Sequence, residues 1–429
     1  MAMAIAQPAA AQQAPSQPAQ TPATAGPAAP QQPPAQPSAV QAPNPSPPPV
    51  LERGPWSFTG VLTADLVSNA GGQRGGAEAL GRVALSAAWD GSRVGRDGLN
   101  GLISIQGATG GDPSRSLVGD VQGVDSLEAP NYVRLYEAWL ARDYDGHSGW
   151  KAGFVDLNVD FDVQEVGALF INSSNGVGPE LSHSGLNGPS IFPVTALGMT
   201  GYWRPHEGLT IRGGIFDGTA GNPNRPKAFV AVRLSGRDGL FGIVQAERRY
   251  ASGLRLEAGA WAYTAVLDSP VRFDGDGKPL RVQRDRGAYA TVEAPLQTDA
   301  DDPERGLAGW VRVGLADPVA QRVTGYMGGG LVYSGPFKRR PQDQAGFSIS
   351  HAIVDAPVAW GDGPYKSSET SYELTYRANV TDWLAVQPDV QWVVRPNGDP
   401  AIGNALVLGI RFTVTATRSL LRAVRAVAR

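Results

Sequence analysis

From Trp56 onward this chain alternates apolar and polar residues one by one, in segments of about 8 to 13 residues punctuated by Gly, Asp, Asn and Pro. A period of two gives each segment two faces of different character, which a strand can use and a helix cannot. Leu254, Leu256, Ala258, Ala260 and Ala262 thus oppose Arg255, Glu257, Gly259, Trp261 and Tyr263. Leu406, Leu408, Ile410 and Phe412 likewise oppose Ala405, Val407, Gly409 and Arg411, and Tyr372, Leu374 and Tyr376 oppose Ser371, Glu373, Thr375 and Arg377. Sixteen such runs predict strands at 56–67, 80–90, 99–109, 132–142, 149–158, 196–204, 209–218, 239–250, 253–266, 284–296, 306–316, 323–334, 345–354, 369–380, 384–395 and 404–415. An even count of long strands joined by alternating short and long connections suits an antiparallel transmembrane β-barrel better than a water-soluble sandwich. Trp56, Trp89, Trp139, Trp150, Trp203, Tyr250, Tyr333, Trp383 and Trp392 fall near strand ends, where interfacial girdle residues belong.

Composition narrows the function. Lys and Arg number 37 against 40 Asp and Glu, a net charge of −3 that gives no basic face for nucleic acid. The absence of cysteine excludes disulfides, thiolate metal sites and cysteine nucleophiles. His147, His183, His206 and His351 lack metal-ligand spacing, and no phosphate-binding glycine loop or G-x-S-x-G elbow occurs, so no metal, cofactor or hydrolytic centre is expected.

The first fifty residues are a separate object. They hold 15 Ala, 14 Pro and 9 Gln and no charge before Glu52, too little to build a core and rich enough in proline to favour an extended chain. Residues 1–52 are therefore expected to be a disordered periplasmic tether, with Ala9-Ala10-Ala11 resembling the small-residue end of a signal peptide. Residues 53–416 form the barrel. In the tail 417–429, Leu420, Leu421, Val424 and Val427 share a helical stripe among arginines, as in a basic amphipathic helix at the inner leaflet.

One long connection interrupts the strand pattern. It follows Gly153-Phe154-Val155-Asp156-Leu157-Asn158 and contains Phe170-Ile171-Asn172-Ser173-Ser174, Gly178-Pro179, and Ser190-Ile191-Phe192-Pro193 before Ala196-Leu197-Gly198. Leu135-Tyr136-Glu137-Ala138-Trp139 precedes it, and Glu369-x-x-Tyr372-Glu373-Leu374, Gln387-Pro388-Asp389-x-Gln391 and Leu408-Gly409-x-Arg411 follow. In this order the blocks resemble the carbohydrate-selective porin family of Gram-negative outer membranes. Asn172-Ser173-Ser174-Asn175-Gly176 also resembles the His-x-Ser-Asn-Gly frame of outer-membrane phospholipases, but asparagine stands where their histidine would activate the serine.

The resemblance implies passive diffusion of small neutral carbohydrates through a water-filled barrel, narrowed by the inward-folded 159–195 loop. A sugar offers paired hydroxyls, which guanidinium and carboxylate groups can grip, and a C–H face on which an aromatic ring can lie. Positions expected to point inward supply such groups: Arg82, Lys151, Arg212, Arg255, Glu257, Trp261, Glu293, Trp310, Arg312, Glu373, Arg377, Asp389 and Arg411. The matching blocks add Glu137, Asp156 and Asn158. An excess of arginine would favour anions over cations. Outer-membrane lipid would surround the barrel, as a monomer or homotrimer. The alternative is an anchoring barrel whose tether binds peptidoglycan or a periplasmic partner.

Overall fold

The computed structural model describes residues 51–283, 285–300, 302, 305–355 and 366–417. Residues 1–50 of the tether and the basic tail from 418 lie outside the described residues, whereas Leu51 and Glu52, expected to end the disordered tether, are instead held in a short strand by backbone pairing with the wall. Leu51–Arg53 (β1) pairs briefly with Trp56–Gly71 (β2). Then follow Gly76–Asp90 (β3), Leu99–Gly110 (β4), Tyr132–Tyr144 (β5), Ser148–Val155 (β6), Ala196–His206 (β7), Leu209–Asp217 (β8), Leu240–Arg249 (β9) and Arg255–Tyr263 (β10). A side hairpin, Val266–Phe273 (β11) with Pro279–Gln283 (β12), precedes Arg286–Thr298 (β13), Gly306–Ala316 (β14), Val323–Ser334 (β15) and Gln344–Asp355 (β16). Lys366–Asn379 (β17), Leu384–Val394 (β18) and Ala405–Thr415 (β19) complete the series.

Apart from β1 and the side hairpin, each strand pairs antiparallel with its neighbours, and β19 pairs with β2, so sixteen strands close into a barrel. All sixteen expected strands are present. The run expected at 253–266 stops at Tyr263, and the chain leaves the wall to make β11 and β12. Closure settles the choice that alternation left open. Along β14, Val311, Val313 and Leu315 are exposed at 52%, 44% and 67%, while Trp310 and Arg312, which alternate with them, are buried. The apolar face is the exposed one, the reverse of a protein packed in water.

Short connections at 91–98, 145–147, 207–208, 250–254 and 380–383 gather at one rim, where Trp56 pairs with Trp89 and where β1 brings the chain in. Longer ones, at 111–131, 156–195, 218–239 and 264–285, lie at the other. Trp139 is not a girdle residue. The register slips between Ser104 and Ile105, so Tyr136 is the extra residue of a β-bulge, and Glu137 and Trp139 turn to the polar face, where the Trp139 indole donates to Glu137 at 3.0 Å.

The apolar core sits on the polar face of the wall. Leu157, Phe161 and Leu181 of the 156–195 connection pack on Phe216, Phe241, Trp261, Tyr263 and Tyr289. Val166, Leu169 and Phe170 cover Ala308, Trp310 and Val332. From the 111–131 connection, Leu117, Val118, Val124 and Leu127 pack on Val67, Leu80, Val393 and Val407.

Candidate functional site

The 156–195 segment is held to the wall by charge. Arg312 of β14 is fully buried and reaches two of its carboxylates: Nε and Nη2 donate to Asp162 at 2.7 and 2.8 Å, and Nη2 donates to Glu180 at 2.6 Å. Its guanidinium carbon lies 5.2 and 5.4 Å from the ring centres of Tyr289 and Tyr326. Gly178 is required here, because a Cβ would come within 1.9 Å of Arg312 Nη1. Glu180 sits on a single helical turn, Pro179–Ser182 (α1), and burial raises its carboxyl above the usual range despite Arg312.

Glutamates of the wall grip the segment's backbone instead. Glu373 accepts from the N–H groups of Ile171 at 2.5 Å and Asn172 at 3.2 Å, and from the Asn175 amide at 2.9 Å. Glu293 accepts from Val166 N–H at 2.8 Å and from Arg255 at 2.7 Å. Arg255 also pairs with Glu247 and Glu257 and donates to the Val163 carbonyl at 2.8 Å. Gln387 donates to the Leu169 carbonyl at 2.7 Å. The 111–131 connection is treated alike: Glu369 accepts from Val121 and Gln122 N–H at 2.9 and 3.1 Å, and Arg411 joins Asp125 to Asp65 at 3.0 and 2.6 Å. Burial pushes the Asp125 carboxyl up to about 8 and that of Asp120 up to about 6.

The residues anticipated from sequence thus fall into two sets. Arg255, Glu257, Trp261, Trp310, Arg312, Glu373 and Asp389 are buried. Most serve the segment or each other: Trp261 stacks with Phe241, Trp310 meets Phe170, and Asp389 accepts from Gln391 at 2.9 Å. The other set is less covered. Arg82 lies over the Phe192 ring at 5.3 Å. Arg377 and Arg82 are half-buried. Lys151 pairs with Asp160 at 2.9 Å above the Trp139 ring, and Arg212 pairs with Glu247 at 3.5 Å. Asp156 accepts from Tyr136 at 2.5 Å, and Asn158 donates to the Asp162 carbonyl at 2.9 Å. Glu137, itself buried, also receives the Asp156 N–H at 3.4 Å, and burial raises the Asp156 carboxyl.

Sequence reasoning missed Asp160, Asp162, Glu165 and Glu180, the segment's side of these pairs. A signal was present: the connection carries carboxylates and no cation, opposite strands rich in arginine. The serine motif is occupied otherwise, with Ser174 Oγ donating to Asn172 at 2.7 Å and His183 Nε2 bonded to the Val121 carbonyl at 2.9 Å. A cavity of about 1830 Å³ opens among the long connections, lined by Asp120, Glu128, Asn158, Phe192, Arg233 and Arg322 among others.

A closed barrel of sixteen strands, apolar where it is exposed and ionisable on the opposite face, defines a transmembrane porin of the outer-membrane type. The sequence model of the carbohydrate-selective porins, OprB family, matches residues 74–415. The chain belongs to that family. It is 28% identical over 174 residues to Porin B of Pseudomonas aeruginosa, a match covering 35% of this chain and 38% of that protein. The structure of Pseudomonas putida OprB at high pH superposes with a TM-score of 0.75 at 22% identity, over 84% of this chain and 94% of that one. OmpT of Vibrio cholerae in its trimer form gives 0.50 at 10% identity, over 84% and 98% of the two chains.

Proposed function

We propose that the protein lets small neutral carbohydrates diffuse passively across the outer membrane, with the 156–195 segment lying across the lumen as the constriction. The observation that carries this reading is the division of the site residues. Arginines 255 and 312 are buried among protein carboxylates, whereas Arg82, Arg377, Lys151 and Arg212 keep some exposed surface, Lys151 and Arg212 while paired with Asp160 and Glu247. These four, with Asp156, Asn158 and the Phe192 ring, make the sugar-facing edge. Guanidinium forks would take vicinal hydroxyl pairs and the ring would take a C–H face. Each contact is weak enough for the solute to leave. Cation excess along that edge favours anions among small ions. No cofactor or energy source is needed for flow down a gradient.

The tether extends into the periplasm in this reading, since β1 joins the wall at the short-turn rim, which faces the periplasm in barrels of this kind. Single-channel recording in planar bilayers tests the function. Stable channels whose current falls saturably as mono- and oligosaccharides are added are expected. Open channels indifferent to every sugar would leave a general pore, and folded protein without conductance would end the transport reading. Deleting residues 1–50 should leave conductance intact; loss of conductance on deletion would contradict a mere tether.

A further inference from the structure

The wall has a notch, and one connection closes it. β6 makes its last pair with β5 at Ala138 and Phe154, then the chain departs at Asp156 toward the constriction segment. β5 continues six residues further, to Tyr132, with no strand beside it on that side among the described residues. Its outward residues there are still apolar: Val133 is exposed at 61%. An open backbone edge at that depth is costly, because lipid offers no hydrogen bonds. The β8–β9 connection answers it. The Leu135 N–H donates to the Phe229 carbonyl at 2.8 Å, and Arg134 fastens the same stretch from the polar face by donating to the Pro226 carbonyl at 2.7 Å and the Pro193 carbonyl at 3.1 Å.

This strap has a sided composition. Phe229 and Val230 are about half exposed, where the Phe229 carbonyl meets Leu135 of β5. Arg225 and Lys227, just before them, are exposed and make no ion pair among the described residues. Turns closed by Arg225 N–H to Asn222 and Ala228 N–H to Arg225, at 2.9 and 3.0 Å, keep the cations next to the apolar pair. We propose that residues 225–230 are a lipid-seated seal: Phe229 and Val230 enter the acyl layer, and Arg225 and Lys227 bind the phosphate groups of an acylated, phosphorylated lipid of the outer leaflet. An exposed apolar pair next to two exposed cations matches the chemistry of such a lipid, with acyl chains beside phosphate groups. The seal goes beyond the sugar reading and stands without it.

The chain has no cysteine, so a single introduced thiol labels one place. The variant F229C, spin-labelled and reconstituted in vesicles, should be relaxed by lipid-soluble oxygen and protected from an aqueous nickel chelate. G236C is the control, because Gly236 is exposed, a Cβ there meets nothing within 4 Å and the residue lines the cavity among the long connections; it should show the opposite. A label at 229 as accessible to nickel as that at 236 would overturn the proposal. For the phosphate half, solubilised full-length protein should bind diphosphorylated lipid A about tenfold more tightly than the dephosphorylated form. R225A/K227A should abolish that ratio while still folding, as judged by heat-modifiable migration. An unchanged ratio in the double variant, or displacement of the lipid by millimolar inorganic phosphate alone, would refute a lipid-specific site.

Discussion

Two arginines on nearly opposite sides of the barrel wall, Arg312 of β14 and Arg82 of β3, have opposite fates. Arg312 is sealed under the segment, with both edges of its guanidinium given to carboxylates and its faces to tyrosines. Arg82 is only partly covered and has an aromatic ring of the segment beside it. The same side chain at the same kind of strand position is a fastening in one place and a free surface in the other. What separates them is whether the segment brings an acid to meet the arginine. The lesson is that a charged lumen wall cannot be read as a list of solute contacts until its salt bridges are known.

That contrast can be broken most forcefully at Arg312. Replacing it by Met leaves Asp162 and Glu180 buried without their cation, at a cost of about 3–5 kcal/mol. Thermal unfolding in detergent should move down accordingly, and channels that still form should flicker and lose sugar block. A quiet, sugar-sensitive R312M channel would mean that the staple does not position the constriction. Glu373→Gln comes next. It removes the charge from hydrogen bonds to two backbone N–H groups, about 1.5–3 kcal/mol, and should speed amide exchange at Ile171 and Asn172 while leaving Leu374 protected.

Arg82→Ala should act the other way round. Stability is expected to change little, while the sugar concentration for half-block rises about tenfold, equivalent to about 1.4 kcal/mol, and anion preference falls. Equal sugar affinity in R82A and wild type would move Arg82 out of the sugar-facing set. The smallest effect concerns pH. Asp120 has its carboxyl pushed up to about 6 by burial, above the roughly 3.9 of an unfolded chain. Its folded form therefore holds the proton longer, so its contribution is present below about pH 4 and is lost as pH rises to about 6. Amide exchange at Gln122 and Gly123, corrected for intrinsic rate, should show less protection at pH 7 than at pH 4, and D120N should flatten that difference.

The wall was legible because period-two patterning is a local property. The strands at 306–316 and 323–334 coincide with β14 and β15 at both ends. Pairing was legible too, since consecutive antiparallel strands leave few choices. The bulge at Tyr136 was not, because one unpaired residue inside a strand looks like ordinary sequence until its partner is known, and so Trp139 was assigned to the wrong face. The fastening of Arg312 was invisible for a different reason. Asp162 lies 150 positions away on a segment without period, and nothing local says which arginine it will meet. The strap over β5 was hidden likewise, since it depends on where β6 stops.

The seam between β2 and β19 carries a consequence for assembly. The Arg411 and Asp65 pair that fastens it joins residues 346 positions apart. Contacts so distant in the chain form late, after the loop-closure entropy of everything between has been overcome. Asp65 is made early and must wait, beside an unpaired strand edge, until nearly the whole protein exists. The same Arg411 also holds Asp125 of the 111–131 connection. Zipping the cylinder shut and fastening that connection to its polar face are therefore one event, and a nascent chain stalled before β19 has neither.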